Sequence, residues 1–457
     1  MRYRLIAALL GMVWLGGLPT GAGAETLREA LAAAYIGNPT IEAERAALRA
    51  QDETVSQARS GYRPSVVGTG SIARSNNRQT SSFAGQPTET ETTLTPKTAG
   101  VSLVQPVFRG FRTTNEVSQA ATEVDAGRAR LLAVEQDILL AAASAYLDVI
   151  RDEAILELTR NNVQVLNRQL EASRDRFRVG EITRTDVAQA EARLSGSISL
   201  RTQAEAALTA SRAAYNRVVG RMPGTLSYPE LPELPASQEA ALEVALAENP
   251  GLEAARFIDR ASDYAVRAAK GALLPEVSLR AEYRREWDSS EFISDVERKQ
   301  IMAELRVPFY QAGVAASGVR QARQISSQRR LQVLDAERQV VEGLRNAWES
   351  LREARSRIES DEAQVRANEI ALEGVRQEAA VGSRTTLDVL DAEQELLDSR
   401  VSLTTAQHNV AVASFDLLSA MGRLTARNLN LPVAIYDPAR NYDRVRNKIF
   451  GWGIEDE

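Results

Sequence analysis

The chain has 457 residues, a formal net charge of -6 and no cysteine. The missing cysteine excludes disulfides, thiol catalysis and a lipid-bearing cysteine behind an export signal. Arginines interleaved with Glu and Asp argue against a phosphate-binding surface, which needs a clustered basic stripe, and an aromatic content of only 5% favours close helix packing through alanine over a thick aromatic core.

Residues 1–24 read as an export signal. Arg2 and Arg4 precede an apolar run from Leu5 to Leu18, and Ala22-Gly23-Ala24 supplies a small-residue cleavage site. No later stretch is long and apolar enough for a transmembrane helix. The best candidate, Leu131 to Ile150, carries Glu135, Gln136, Asp137 and Asp148. Leu27 to Gly37 is a short helix, and Asn38-Pro39 opens another, because Asn caps and Pro fits the first turn. That second helix runs to about Gly61, where Tyr62-Arg63-Pro64 stops it.

The period then changes. Residues 65–74 and 98–107 carry a weak strand signal, and the Thr- and Ser-rich run Ser75 to Pro96 between them reads as a long exposed loop. A later pair is cleaner. Val277, Leu279, Ala281, Tyr283 and Trp287 share one parity, against Ser278, Arg280, Glu282 and Arg284 on the other. Ile301, Ala303, Leu305 and Val307 alternate in the same way with Gln300, Met302, Glu304 and Arg306. An apolar and a charged face over about ten residues is the pattern of an outer-membrane barrel strand, with Tyr283 and Trp287 as membrane-interface aromatics facing outer-membrane lipid. A soluble two-sided hairpin would show the same alternation.

From Arg112 to Val179 the pattern is helical without a proline, with small or apolar residues at alternating three- and four-residue spacings, as in a coiled coil. Such a helix is roughly 100 Å long. Gly313 to Val381 is its twin. The return helices, Thr185 to Gly220 and Thr386 to Met421, are each too short to cover a long partner alone. The short helix after each Asn-Pro is predicted to stack end to end on a return helix. The Pro-rich linker from Met222 to Pro235 then falls near mid-height, and so does the tail after Met421.

The twinning is an internal duplication. The step from Gly180 to Gly382 equals that from Asp186 to Asp388, and it also relates Pro106 to Pro308 and Gly220 to Gly422. The first copy is longer than the second between its paired prolines, Pro64 to Pro106 against Pro275 to Pro308. The expected organisation is a signal at 1–24, a first repeat at 25–224, a Pro-rich equatorial linker at 225–236, a second repeat at 237–424 and a C-terminal equatorial segment at 425–457. The fold class is mainly α with a membrane β-barrel part. Four strands per chain cannot close, and lipid does not tolerate open sheet edges; three copies would give a 12-stranded barrel, within the even range seen. The expectation is a homotrimeric channel-tunnel, its barrel continued by a long helical barrel.

The chain resembles the TolC family of outer-membrane efflux and type I secretion channels over residues 25–424. The resemblance rests on Asn38-Pro39, Pro106, Pro308 and above all Val-Gly-Ser-Arg-Thr-Thr-Leu-Asp-Val-Leu-Asp-Ala at 381–392, with a degenerate copy at 179–190. It implies a passive outer-membrane duct reaching into the periplasm and opened at its periplasmic tip. It also implies docking by a periplasmic adaptor and an inner-membrane transporter of RND or ABC type. The tail from Tyr436-Asp437-Pro438 to Trp452-Gly453 has no clear counterpart in the best-known members.

No enzyme motif, metal-ligand cluster or cofactor loop is evident, and His408, the one histidine, lies within a helix. Asp388 and Asp391 are spaced to share one helix face, with Arg384 a further turn away. By resemblance the two acids form a ring at the periplasmic aperture, and Arg384 ties the inner hairpin to Thr185 and Asp186 of the outer one. Ala379 stands where the family's well-known members carry a Tyr, so one tether is missing. Gly180 and Gly382 suit helix-reversing turns, and the resemblance makes Val179, Gly180, Val381 and Gly382 the adaptor-docking tips. The alternative reading is a soluble periplasmic coiled-coil adaptor or scaffold, which would also carry long helical hairpins.

Overall fold

A computed structural model describes residues 24–453 apart from Ala84 and Glu291, so the proposed export signal lies almost wholly outside the described residues. After α1 (Leu27–Gly37) and α2 (Pro39–Arg59) the chain forms β1 (Ser65–Ile72), β2 (Ser75–Phe83), β3 (Gln86–Leu94) and β4 (Lys97–Arg109). A long hairpin follows, α3 (Arg112–Arg178) and α4 (Arg184–Val219). The second copy repeats this as α5 (Gln238–Glu248), α6 (Pro250–Gly271), β5 (Glu276–Ser290), β6 (Ile293–Arg306), α7 (Val314–Ala380) and α8 (Thr386–Ala420). A short helix, α9 (Ala439–Val445), lies in the tail.

The Asn-Pro pairs set the junctions. Asn38 accepts from Thr40 N at 2.9 Å to cap α2, while its Nδ2 donates to Val218 O at the end of α4, 2.9 Å away. Asn249 does the same in the second copy, accepting from Gly251 N and Leu252 N and donating to Ala420 O at the end of α8. One side chain thus begins the upper helix and satisfies an orphan carbonyl of the lower one. The short helices stack end to end along their long partners, as the lengths required. In the upper half the lateral order is α2, α3, α6, α7, since α6 packs on both long helices and α2 packs on α3.

The sheet above follows the same order. Its strands run β1-β4-β5-β6, all antiparallel. A register shift falls between Pro106 and Phe108, where proline cannot donate to the ladder. At each strand-to-helix turn two successive residues take positive φ, Gly110 and Phe111 (60° and 59°) and Ala312 and Gly313 (50° and 82°). Gly110 is also a close-approach position, for a Cβ there would meet Gly271 O at 2.3 Å.

Two expectations need correction. Ser75 to Pro96 is no loop: β2 and β3 pair antiparallel from Ser75↔Leu94 to Phe83↔Gln86. Alternating Thr and Glu in Thr88-Glu89-Thr90-Glu91-Thr92 make a strand polar on both faces, so the extra length of the first copy is a ribbon with no apolar parity to reveal it. Nor does the tail stay at mid-height. Leu424, Ala426 and Leu431 join the equatorial core with Tyr146 and Tyr215. From Tyr436 onward the chain climbs α2 towards the sheet. Tyr436 N donates to Tyr35 Oη at 3.0 Å, Asn441 Nδ2 donates to Asp52 Oδ2 at 2.7 Å, and Arg63 Nη1 donates to Lys448 O at 2.9 Å.

Candidate functional site

The sheet has two chemically distinct faces. On one, Val277 pairs with Leu305, Leu279 with Ala303 and Ala281 with Ile301, while Val101 and Leu103 stand opposite Tyr283 and Ala281. Ile301 and Leu305 are 86% and 64% exposed. The other face carries Arg280, Glu282, Arg284 and Glu286 against Met302, Gln300, Arg298 and Val296. The apolar band begins at the helix-side end of the strands, next to the terminal pair Glu276↔Arg306. It ends near Tyr283, which faces Lys299. Above that level Arg285 bonds Asp295 at 2.8 and 3.0 Å and stacks on Trp287, its guanidinium 5.4 Å from the ring. Tyr283 and Trp287 therefore sit at the upper margin of the band.

At the opposite end of the molecule the two hairpins turn in the same way. Gly180 and Gly382 take φ of 79° and 81°. Glu181 N donates to Arg176 O and Ser383 N to Glu378 O, closing matched helix C-caps. Val179 and Val381 are 78% and 80% exposed, an unusual degree for valine. Thr183 and Asp186 form a capping box at the start of α4; Thr385 and Asp388 form its copy on α8. Arg174 on α3 bonds Glu191 on α4 at 2.6 Å, and Arg376 bonds Glu393 in the equivalent place, so the duplication extends to an ion pair.

Asp388 and Asp391 are both engaged. Asp388 accepts from Thr385 N and Oγ1, each at 2.8 Å. Those two bonds, with Arg384 nearby, hold its carboxyl below the usual range. Asp391 pairs with Arg193 of α4, which joins the two hairpins. Arg384 does not reach Thr185 or Asp186 in the single chain; it bonds Glu378 of its own hairpin at 2.9 Å. Asp186 is occupied by its cap on Thr183. Arg193 went unread in the sequence because its duplicate position is not an arginine, so repetition gives no signal there.

Among the described residues no cluster of His, Cys, Asp and Glu is arranged to hold a metal, and no helix is long and apolar enough to cross a membrane. Comparison with known proteins returns a family match at residues 30–221 and 241–423, to the model described as Outer membrane efflux protein. The chain is 37% identical to the outer membrane efflux protein BepC of Brucella suis over 99% of its own length and 98% of the relative's. It is 26% identical to the outer membrane protein TolC of Vibrio cholerae, over 91% and 94% of the two chains. Its fold superposes on the CmeC outer membrane channel of Campylobacter jejuni with a TM-score of 0.78 at 14% identity, covering 92% of this chain and 89% of that one.

Proposed function

The chain belongs to the outer membrane efflux protein family, the TolC family of outer-membrane channels, and from that premise we propose that three copies close into one gated duct. Members of the family are conduits rather than enzymes, and their place is the outer membrane and periplasm. The observation that carries the finer reading is the open sheet. Its outer strands β1 and β6 each have one unpaired edge, and it stands directly over a helical layer of the same lateral order. A bilayer does not tolerate such edges. Closing β6 of one protomer on β1 of the next gives a barrel of about twelve strands, lipid on its apolar face and water on its charged one. The same closure brings α2 of one protomer beside α7 of the next, whose Val314, Ile325, Leu331 and Leu334 are exposed in the single chain.

The periplasmic end is the gate. Asp388 and Asp391 from three chains face the axis there as an acidic ring, and Arg193–Asp391 joins the hairpins within each chain. Arg384 is placed to exchange Glu378 for Thr185 and Asp186 across hairpins in the assembled closed state. Val179, Gly180, Val381 and Gly382 present the exposed tips to a periplasmic adaptor, which brings an inner-membrane transporter of RND or ABC type; efflux and type I secretion would share this duct. The test is assembly. Purified in mild detergent, the chain should run as a stable trimer from the outer-membrane fraction. A monodisperse monomer that keeps its β signal would overturn the closed barrel. Recovery in the soluble fraction would favour the adaptor reading instead.

A further inference from the structure

We propose that the end of the C-terminal tail, Ile449 to Trp452, is a lipid anchor seated in the headgroup layer on the helical side of the barrel; this rests on the reading of the sheet as membrane-embedded. The tail is built into the molecule up to this point. The Arg45 guanidinium lies between the rings of Tyr35 and Tyr436, 4.7 and 5.0 Å from their centroids. Arg128 of α3 stacks on Tyr442 at 5.0 Å. Asn441 is fixed to Asp52, and the Lys448 carbonyl accepts from Ser56 Oγ at 3.2 Å and Arg63 Nη1 at 2.9 Å. Beyond Lys448 the chain closes a small loop. Lys448 Nζ donates to Gly453 O at 3.2 Å, and Gly451 turns with a φ of 103°. The loop throws its apolar side chains outward: Phe450 is 89% exposed and Trp452 fully so.

Height decides what these side chains meet. Arg63, which holds the Lys448 carbonyl, lies just before β1 begins at Ser65. The apolar band of the sheet begins at this same end, with Val277 and Leu305. Hydrocarbon therefore starts where the strands start, and the headgroup layer covers the strand-to-helix turns. Those turns expose the aromatic residues Phe111, Phe309 and Tyr310, and Tyr62 is exposed just before β1. Trp and Tyr collect at membrane–water interfaces because their rings are amphipathic, and the Phe side chains beside them reach towards hydrocarbon. A neighbouring protomer is the other candidate cover. The tail runs along the edge helix α2 and over its groove with α3. Phe450 and Trp452, however, follow the Lys448 carbonyl that Arg63 holds at the foot of the sheet, and at that height lipid headgroups surround the whole barrel.

The test uses tryptophan as its own depth probe. Without residues 1–24 the tryptophans are Trp287, Trp348 and Trp452. The chain from Glu25 onward carrying Trp287→Phe and Trp348→Phe, reconstituted in phosphatidylethanolamine and phosphatidylglycerol vesicles, leaves Trp452 alone. Its fluorescence should fall about twofold with lipids brominated near the acyl carbonyls, and less with lipids brominated at the chain ends, as an interfacial ring requires. A second protein, Trp348→Phe with Trp452→Phe, leaves Trp287 to report barrel insertion. Quenched Trp287 with unquenched Trp452 overturns the anchor and leaves the barrel standing. Unquenched Trp287 overturns the membrane barrel, and the anchor with it.

Discussion

Breaking the Arg193–Asp391 ion pair should loosen the periplasmic end of the channel. The pair is the ionic link between α4 and α8, and its side chains are 40% and 48% exposed. At that exposure solvent screens the charges, so each pair contributes about 0.5 kcal/mol, within the range of surface pairs. Three equivalent pairs that break together in one gate amount to about 1.5 kcal/mol, and every 1.4 kcal/mol is a factor of ten in an equilibrium. Arg193→Gln should therefore raise the ratio of open to closed channel about tenfold in planar-bilayer recordings at low salt, and by less at high salt, where the wild-type pair is already weakened. The swap Arg193→Asp with Asp391→Arg should recover most of the closed state, because it restores the attraction with the charges reversed. Arg384→Ser acts on a different contact and should add its own increment. If Arg193→Gln leaves open probability and its salt dependence unchanged, or if the swap opens the channel as far as either single change, the pair does not hold the gate.

Further outcomes follow from the tips, the acidic ring and the equator. Gly382 sits at a φ of 81°, and a Cβ at this position would have nothing within 4 Å, so Gly382→Val meets only backbone strain, about 1–2 kcal/mol; adaptor affinity in a pull-down should fall while barrel insertion survives. Asp388→Asn with Asp391→Asn should abolish block by multivalent cations, since a carboxylate ring binds them; Asn is chosen because it still accepts the Thr385 cap, and unchanged block would place the ring elsewhere. One contribution to the pH dependence comes from Glu135, whose carboxyl burial pushes up, opposed by the Ala426 N–H at 2.7 Å and by Arg45 and Arg427. A raised folded value means the folded chain holds the proton longer than the unfolded one, so this group's contribution to stability is greatest below the ordinary Glu range and is lost as pH rises through the raised value. Glu135→Gln should flatten that slope in thermal unfolding between acid and neutral pH; an unaltered slope would show that Glu135 does not set it.

What was legible in the sequence is largely what is written twice. The Asn-Pro caps, the long helices and the Gly turns each recur in both copies. The physical demands on the two copies are the same, so each copy corroborates the other. Strand parity was clear in β5 and β6, where charged and apolar side chains alternate. It was faint in β1, where Gly68 and Gly70 stand opposite Val101 and Ala99. A residue without a side chain contributes no parity.

The features that escaped are those present once. The β2–β3 ribbon has no twin, and its polar faces obey no burial rule. The tail beyond Tyr436 has none either, and its course is fixed by carbonyl contacts and ring stacking at Arg45, Arg63 and Arg128, for which no local sequence pattern exists. Arg193–Asp391 is the third case. The repeated pairs Arg174–Glu191 and Arg376–Glu393 close within each hairpin, whereas Arg193–Asp391 has Glu395 and Gln189 at its duplicate positions and is written only once. Gating needs one hairpin to move against the other. Of the residues proposed to control it, Asp388 repeats Asp186, whereas Arg193 has no arginine twin, so the difference between the copies adds a contact that their likeness does not show.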